Sequence, residues 1–276
     1  MYITDFMFDN VWLSDFGYQV CSFGKATQSE ISDGANIEFK TTSIRNGELS
    51  LLAKSIYPEV ITATLQICKQ TCVNDYNPIM SVTDISKLTA WLCQKQFCDL
   101  IVNDPEFYDE THPENTIFFT GSFAKVSRVE FGGNTIGLTL EFISNAPFAH
   151  KPPVETTLTF TEAGTQTLSI VSDYVGDFYP SHIEITMPDE IEPETLELST
   201  SISDMTIENC EANEILYITY PIITSSSRSQ SDLASAFNYD FLKFYSGLED
   251  STDNAIHSSV PCEVKIEYEP VVNISI

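Results

Sequence analysis

From Val60 to Ile67 two kinds of residue alternate without a break: Val60, Thr62, Thr64 and Gln66 interleave with Ile61, Ala63, Leu65 and Ile67. A period of two places one set on each face of a strand, so this stretch reads as a strand with one apolar face. The same signature recurs along the chain. Ile37, Phe39 and Thr41 alternate before Asn46-Gly47, and Leu49, Leu51 and Ala53 resume after it. Asn-Gly takes the positive φ angles of a tight hairpin readily. Thr116 to Glu130 and Asn134 to Phe142 flank a Gly132-Gly133 turn, and Cys262 to Tyr268 alternates cleanly. Thr, Ile and Val dominate these runs, and 18 Phe and 12 Tyr supply bulk for a β-rich core.

One helix interrupts the pattern. Ile85, Leu88 and Leu92 share a face, Trp91 borders it, and Thr83 or Asp84 can cap its start. The pattern predicts an end near Phe97, then a short strand at Leu100-Ile101-Val102. An acidic, Pro- and Asn-containing loop follows from Asn103 to Asn115.

Between Ser144 and Pro153 no regular element fits. Pro147, Pro152 and Pro153 fall within seven residues and exclude a central strand or helix interior. With 276 residues the chain suits two domains, so the boundary is placed here, giving 1–150 and 151–276. The second half reads as nearly all strand. Glu155 to Phe160 and Gln166 to Val171 are expected as a hairpin about Ala163-Gly164-Thr165. His182 to Met187, Glu194 to Ser199, Met205 to Glu208 and Ile215 to Tyr220 follow, with Ser225 to Asp232 a polar loop. Many short strands at near-regular spacing indicate a β-sandwich.

Charge falls unevenly across that boundary. Of a net −27, residues 1–150 carry 9 basic and 18 acidic side chains, and residues 151–276 carry 4 and 22. Such a surface cannot replace the counterions of a phosphate backbone, which disfavours nucleic acid and anionic lipid. It suits cations or basic partners, or simply keeps the protein in solution. The first ten residues hold Asp5 and Asp9 and no basic residue, unlike a secretory signal. No apolar run reaches the ~18 residues of a membrane span. Synthesis in the cytoplasm as a soluble protein is the expectation.

Seven cysteines, an odd number without a dense framework, imply free thiols in a reducing compartment. Cys68–Cys72 and Cys93–Cys98 loosely resemble paired zinc ligands, but both sit in apolar periodic segments, which favours packed thiols. The chain has no G-x-S-x-G, H-E-x-x-H or Gly-Lys-Ser/Thr phosphate loop. His112, His150, His182 and His257 are scattered. Asp104, Glu106, Asp109 and Glu110 offer oxygen ligands without EF-hand spacing, and Glu190, Glu192 and Glu194 read as a solvated acidic loop. Phe237, Tyr239, Phe241, Phe244 and Tyr245 lie within nine residues, either as core or as a sugar-stacking face. No catalytic, cofactor-binding or metal residue is assigned.

The segment from Phe8 to Gly17, Phe-Asp-Asn-Val-Trp-Leu-Ser-Asp-Phe-Gly, resembles the start of distal tail proteins of long-tailed bacteriophages. So do the helix ending at Trp91-Leu92, the run Gly137 to Phe142 leading into Asn145-Ala146-Pro147-Phe148-Ala149, and the closing Leu248 to Ile256 with Val264 to Tyr268. Asp253-Asn254-Ala255-Ile256 approximates a Gly-x-Asn-x-Ile loop of that family. The resemblance implies a mainly β fold: an N-terminal, ring-forming β-sandwich with one helix, then a galectin-like β-sandwich. It implies a structural, non-enzymatic hexameric hub in the virion tail tip, with a channel for DNA. Its partners would be the tail tube and tail tip or baseplate proteins, with no membrane and no sequence-specific nucleic acid. Sugar-binding residues do not carry over. A carbohydrate-binding module on a virion or cell surface, or a two-carboxylate glycosidase, remains open as an alternative.

Overall fold

The computed structural model describes residues 3–23, 36–43, 49–57, 60–70, 77–173, 176–189, 195–247 and 253–274. The chain divides into two compact units, 1–151 with 272–276, and 152–271.

In the first unit the strands are β1 (Phe6–Phe8), β2 (Val11–Trp12), β3 (Tyr18–Val20), β4 (Asn36–Ser43), β5 (Leu49–Tyr57) and β6 (Thr62–Lys69). The helix α1 (Val82–Leu92) precedes β7 (Cys98–Val102), β8 (Phe119–Phe131), β9 (Asn134–Ser144) and the short β10 (Ala149–His150). Seven of them form one antiparallel sheet in the order β2-β1-β7-β8-β9-β6-β3. β4 and β5 pair as the expected hairpin, with Ser43 opposite Leu49. Its Asn46-Gly47 turn lies outside the described residues.

Alternation decides which face of the sheet is buried. In β6 Ala63, Leu65 and Ile67 point inward, as the period-two pattern requires. β8 and β9 meet at Gly132 and Gly133, whose φ values of 60° and 79° suit glycine. Leu88 and Leu92 of α1 are essentially inaccessible and join Phe6, Phe8, Phe123 and Phe142 in one core.

The helix differs from its expected bounds at both ends. Ser81 is the cap: its Oγ accepts from Asp84 N at 3.1 Å, and the Asp84 carboxylate accepts from Ser81 N at 3.2 Å. Asp84 is thus the returning member of a capping box, and Thr83 lies inside the helix. The helix stops at Leu92, well before Phe97, because the chain must turn to deliver Cys98 into the sheet between β1 and β8.

The second unit is a sandwich of two antiparallel sheets. One is ordered β11 (Val154–Phe160), β21 (Cys262–Tyr268), β14 (His182–Thr186), β17 (Ile215–Thr219) and β18 (Ile222–Ser225). The other is ordered β12 (Gly164–Ser169), β20 (Asp253–Ser258), β15 (Thr195–Ser199) and β16 (Asp204–Glu208). A ribbon pairs β13 (Gly176–Phe178) with β19 (Phe244–Ser246). Leu, Ile and Met from both sheets meet in one core.

Three expectations fail here. β11 and β12 do not form a hairpin. β11 pairs with β21 and β12 with β20, so Ala163-Gly164-Thr165 belongs to a crossing between sheets. The polar run from Ser225 to Asp232 is not wholly loop, since Ser229 caps a short helix α2 (Gln230–Ala236) through Asp232 N. Asp253 to Ile256 lies in strand β20, not in a closing loop.

The final residues behave differently from their neighbours in sequence. Residues 272–276 belong to the first unit, where Val272 and Ile274 pack against its core.

Candidate functional site

Around Trp91 the first unit gathers its opening segment. Asp9 and Asn10 take positive φ values of 52° and 58° to reverse the chain between β1 and β2, which small polar side chains tolerate. A single-turn 3-10 helix, Leu13–Phe16, ends on Gly17 at φ 79°. The Asp5 carboxylate accepts from both Phe6 N and Ser14 N, at 2.9 and 3.2 Å. The Trp91 indole N–H donates to Phe8 O at 3.2 Å, and its ring meets Phe6, Phe8 and Phe16. The segment from Phe8 to Gly17 is therefore a folded corner fixed to α1.

Apolar side chains are exposed elsewhere in this unit. Phe131, at the tip of the long β8–β9 hairpin, is 77% exposed and Val82 is 74% exposed. Met80 N donates to Thr135 O at 2.9 Å, which sets the start of α1 beside that tip.

The residues singled out for chemistry do other work. In the acidic loop, Asp104 accepts from Glu106 N at 3.0 Å and its carbonyl from Phe107 N and Tyr108 N at 2.9 Å each. Asp109 accepts from Thr111 N and Oγ1 at 2.8 and 2.7 Å, which holds its carboxyl below the usual range. These bonds fold the loop over Phe107, which is buried. Glu106 and Glu110 are exposed.

The histidines stay apart. His112 bonds Glu114 at 3.1 Å on the surface, His182 bonds Thr219 at 3.0 Å, and His257 bonds Thr165 at 3.2 Å. Burial holds His150 below the ordinary imidazole range. Burial likewise raises the thiols of Cys93, Cys98 and Cys262, and lifts Cys210 to about 11. These cysteines are thiols, not thiolates, at neutral pH. Cys72 and the Glu190, Glu192, Glu194 series lie outside the described residues. Among the described residues no three His, Cys, Asp or Glu gather closely enough to hold a metal. Of the aromatic run, Phe237, Phe241 and Phe244 are core, while Tyr239 and Tyr245 are exposed.

The sequence reading missed a buried ion pair. Glu214 is fully buried, and Arg228 Nε donates to its Oε1 at 2.7 Å. Ser225 Oγ and Glu211 N also donate to the Glu214 carboxylate, and Arg228 Nη1 donates to Glu208 O at 2.8 Å. The only available signal was that Arg228 is the sole arginine after residue 150.

Comparison with known proteins bears on both units. Residues 1–146 match a family model described as phage tail protein N-terminal domain, and residues 148–268 match one described as phage tail C-terminal domain. No curated protein is similar in sequence. The structure is similar to the Dit (gp 19.1) protein of phage SPP1, described as a paradigm of the hub adsorption apparatus in phages infecting Gram-positive hosts. That match has a TM-score of 0.63 at 12% identity and covers 97% of this chain and 99% of that one. A chain of the phage P2 baseplate in its activated conformation matches at a TM-score of 0.45 and 9% identity, covering 97% and 98% of the two chains. Among the described residues no helix is long and apolar enough to cross a membrane.

Proposed function

The chain belongs to the phage tail protein family whose N- and C-terminal domains it contains, and from this premise we propose that it is a structural distal tail protein. Six copies form a ring that joins the tail tube to the tail tip or baseplate, and DNA passes through its channel. The protein sits in the virion tail tip and catalyses nothing. The observation that carries this reading is the SPP1 Dit fold, which extends over 97% of the chain and takes in both units.

The ring is assigned to the first unit. The exposed Phe131 and Val82 give the first unit apolar surface for a neighbouring copy. Closed cyclic symmetry hides such surface and prevents open-ended growth. A channel wall of negative sign offers phosphates no basic partner, so DNA slides without sticking. Copies that each carry −27 also repel one another, and added salt screens that repulsion.

Light scattering over a range of concentrations, with negative-stain micrographs of the purified protein, tests the proposal. A closed ring of six copies is expected, favoured by moderate salt. A strict monomer in solution and in assembled tails overturns it, and tight DNA binding at physiological salt overturns the channel argument.

A further inference from the structure

The second unit carries an aromatic seam that runs from its core to its surface. The Tyr179 ring stacks on Tyr220 at 3.7 Å between centroids, and Tyr220 meets Phe241 edge-on at 5.3 Å. Phe241 meets Phe237 at 4.9 Å, and Phe237 meets Tyr239 at 5.3 Å. Phe237 and Phe241 are buried, while Tyr220 is 50% and Tyr239 65% exposed. The seam thus anchors two open tyrosines on rigid core rings.

A third tyrosine joins them. Lys243 places its ammonium over the Tyr179 ring at 5.5 Å. Tyr245 lies two residues beyond Lys243, inside β19, and is 42% exposed. Its backbone N–H and C=O are both held by the buried Asn254 amide, at 2.8 and 2.9 Å. Tyr239 sits at φ 60°, a costly conformation for an aromatic residue. The hydrogen bonds of its neighbours fix it there: Asp240 accepts from Asp204 N, and Asn238 donates to Asp204 O.

Charge selects the ligand. Residues 152–271 contain 22 acidic and three basic side chains. All three cations are engaged within the unit: Arg228 with Glu214, Lys265 with Glu155 and Lys243 over Tyr179. Asp240 adjoins Tyr239, and Asp177 lies opposite Tyr245 in the ribbon. A neutral saccharide would stack on the rings and donate hydroxyls to a carboxylate, but it gains nothing from the net negative charge. A guanidinium uses both, because it stacks on an aromatic face and forks onto a carboxylate. The Lys243–Tyr179 contact is the same interaction made within the chain.

We propose that Tyr220, Tyr239 and Tyr245, with Asp177 and Asp240, form a docking face for an arginine-bearing segment of a partner protein. This assignment stands independently of the hub reading. The test uses the full chain and a fluorescein-labelled decapeptide of alternating Arg and Gly, read by fluorescence anisotropy at low and physiological salt, with a matched Lys-Gly peptide beside it. The Arg peptide is expected to bind more tightly than the Lys peptide. Tyr239→Ala and Tyr220→Ala are each expected to weaken it about tenfold, one stacked cation's worth. Tyr239→Phe keeps the ring and restores most of the affinity, which separates docking from folding. Asp177→Asn weakens binding, while Glu263→Gln, at the opposite end of the five-stranded sheet, leaves it unchanged. No binding, or equal binding by the tyrosine-to-alanine variants, overturns the proposal, the latter by making attraction diffuse. So does a neutral oligosaccharide that binds at these tyrosines when the peptide does not.

Discussion

The two units solve one problem in different ways. In the first, a single seven-stranded sheet packs against α1, and aromatic rings, among them Phe6, Phe8, Phe119, Phe123 and Phe142, fill much of its core. In the second, one sheet covers another, and Leu, Ile and Met supply most of the core. A helix standing over a sheet leaves an uneven gap that large rings fill. Two sheets about 10 Å apart leave a flat layer that branched aliphatic chains fill. Polar chemistry divides in the same way. The first unit uses a half-buried carboxylate, Asp5, to hold a loop, whereas the second buries a full ion pair.

That difference is broken most sharply at Arg228. Arg228→Met leaves Glu214 charged, buried and unpaired, and is expected to cost the second unit about 4 kcal/mol. Adding Glu214→Leu should recover most of the loss, since a buried pair stabilises little relative to an apolar one. Hydrogen exchange resolved by unit checks this, and equal loss of protection in the first unit would show that the two do not unfold separately.

Leu88→Ala is the counterpart in the first unit. Its side chain is 1% exposed, so truncation should cost about 3 kcal/mol through transfer and cavity terms. Thermal unfolding measures it, and a change near zero would mean that α1 contributes nothing to the core. A smaller effect, about 2 kcal/mol, is expected for Val272→Asp, which presses a charge against the first unit's core. Protection should fall in residues 3–151 and hold in 152–271, and the reverse outcome would reassign the tail.

The smallest effect belongs to the helix cap. Ser81→Ala should cost about 1 kcal/mol at neutral pH. The bonds with Ser81 hold the Asp84 carboxyl below its ordinary range. A lowered pKa stabilises the fold above the carboxylate's ordinary value and loses that contribution as pH falls through the folded value. The gap between wild type and variant should therefore narrow below about pH 4, and a gap independent of pH would remove Asp84 from the cap.

These contrasts also show what a local reading can reach. Period-two alternation marked β6 with its buried face, and β21 as a strand, because alternation is a property of one strand. Partnership is not. β11 reads as the first arm of a hairpin, yet its partner β21 lies about a hundred residues on. The face of α1 was legible from three leucine and isoleucine positions. Helix α2 was not, since its seven residues bury only Leu233 and give no period to detect. Polar identity misled at β20, where Asp253, Asn254, His257 and Ser258 hide a strand in which Asn254 and Ser258 are buried. Glu214 stood among exposed-looking polar residues, and only the fold brings Arg228 to it. The exposed tyrosines were flagged with buried phenylalanines in one run, and burial alone divides them.

The return of residues 272–276 to the first unit sets a clock on synthesis. After Lys151 has been added, a further 120 residues must be made before Val272 exists. At cellular elongation rates that is roughly 6–24 s. For that interval the earlier unit is a nascent domain without its last packing contacts, while the later one is still being assembled. Competence to join a neighbour through the first unit is therefore coupled to translation of the second. A ribosome that stalls between the two yields a first domain with an unfinished core.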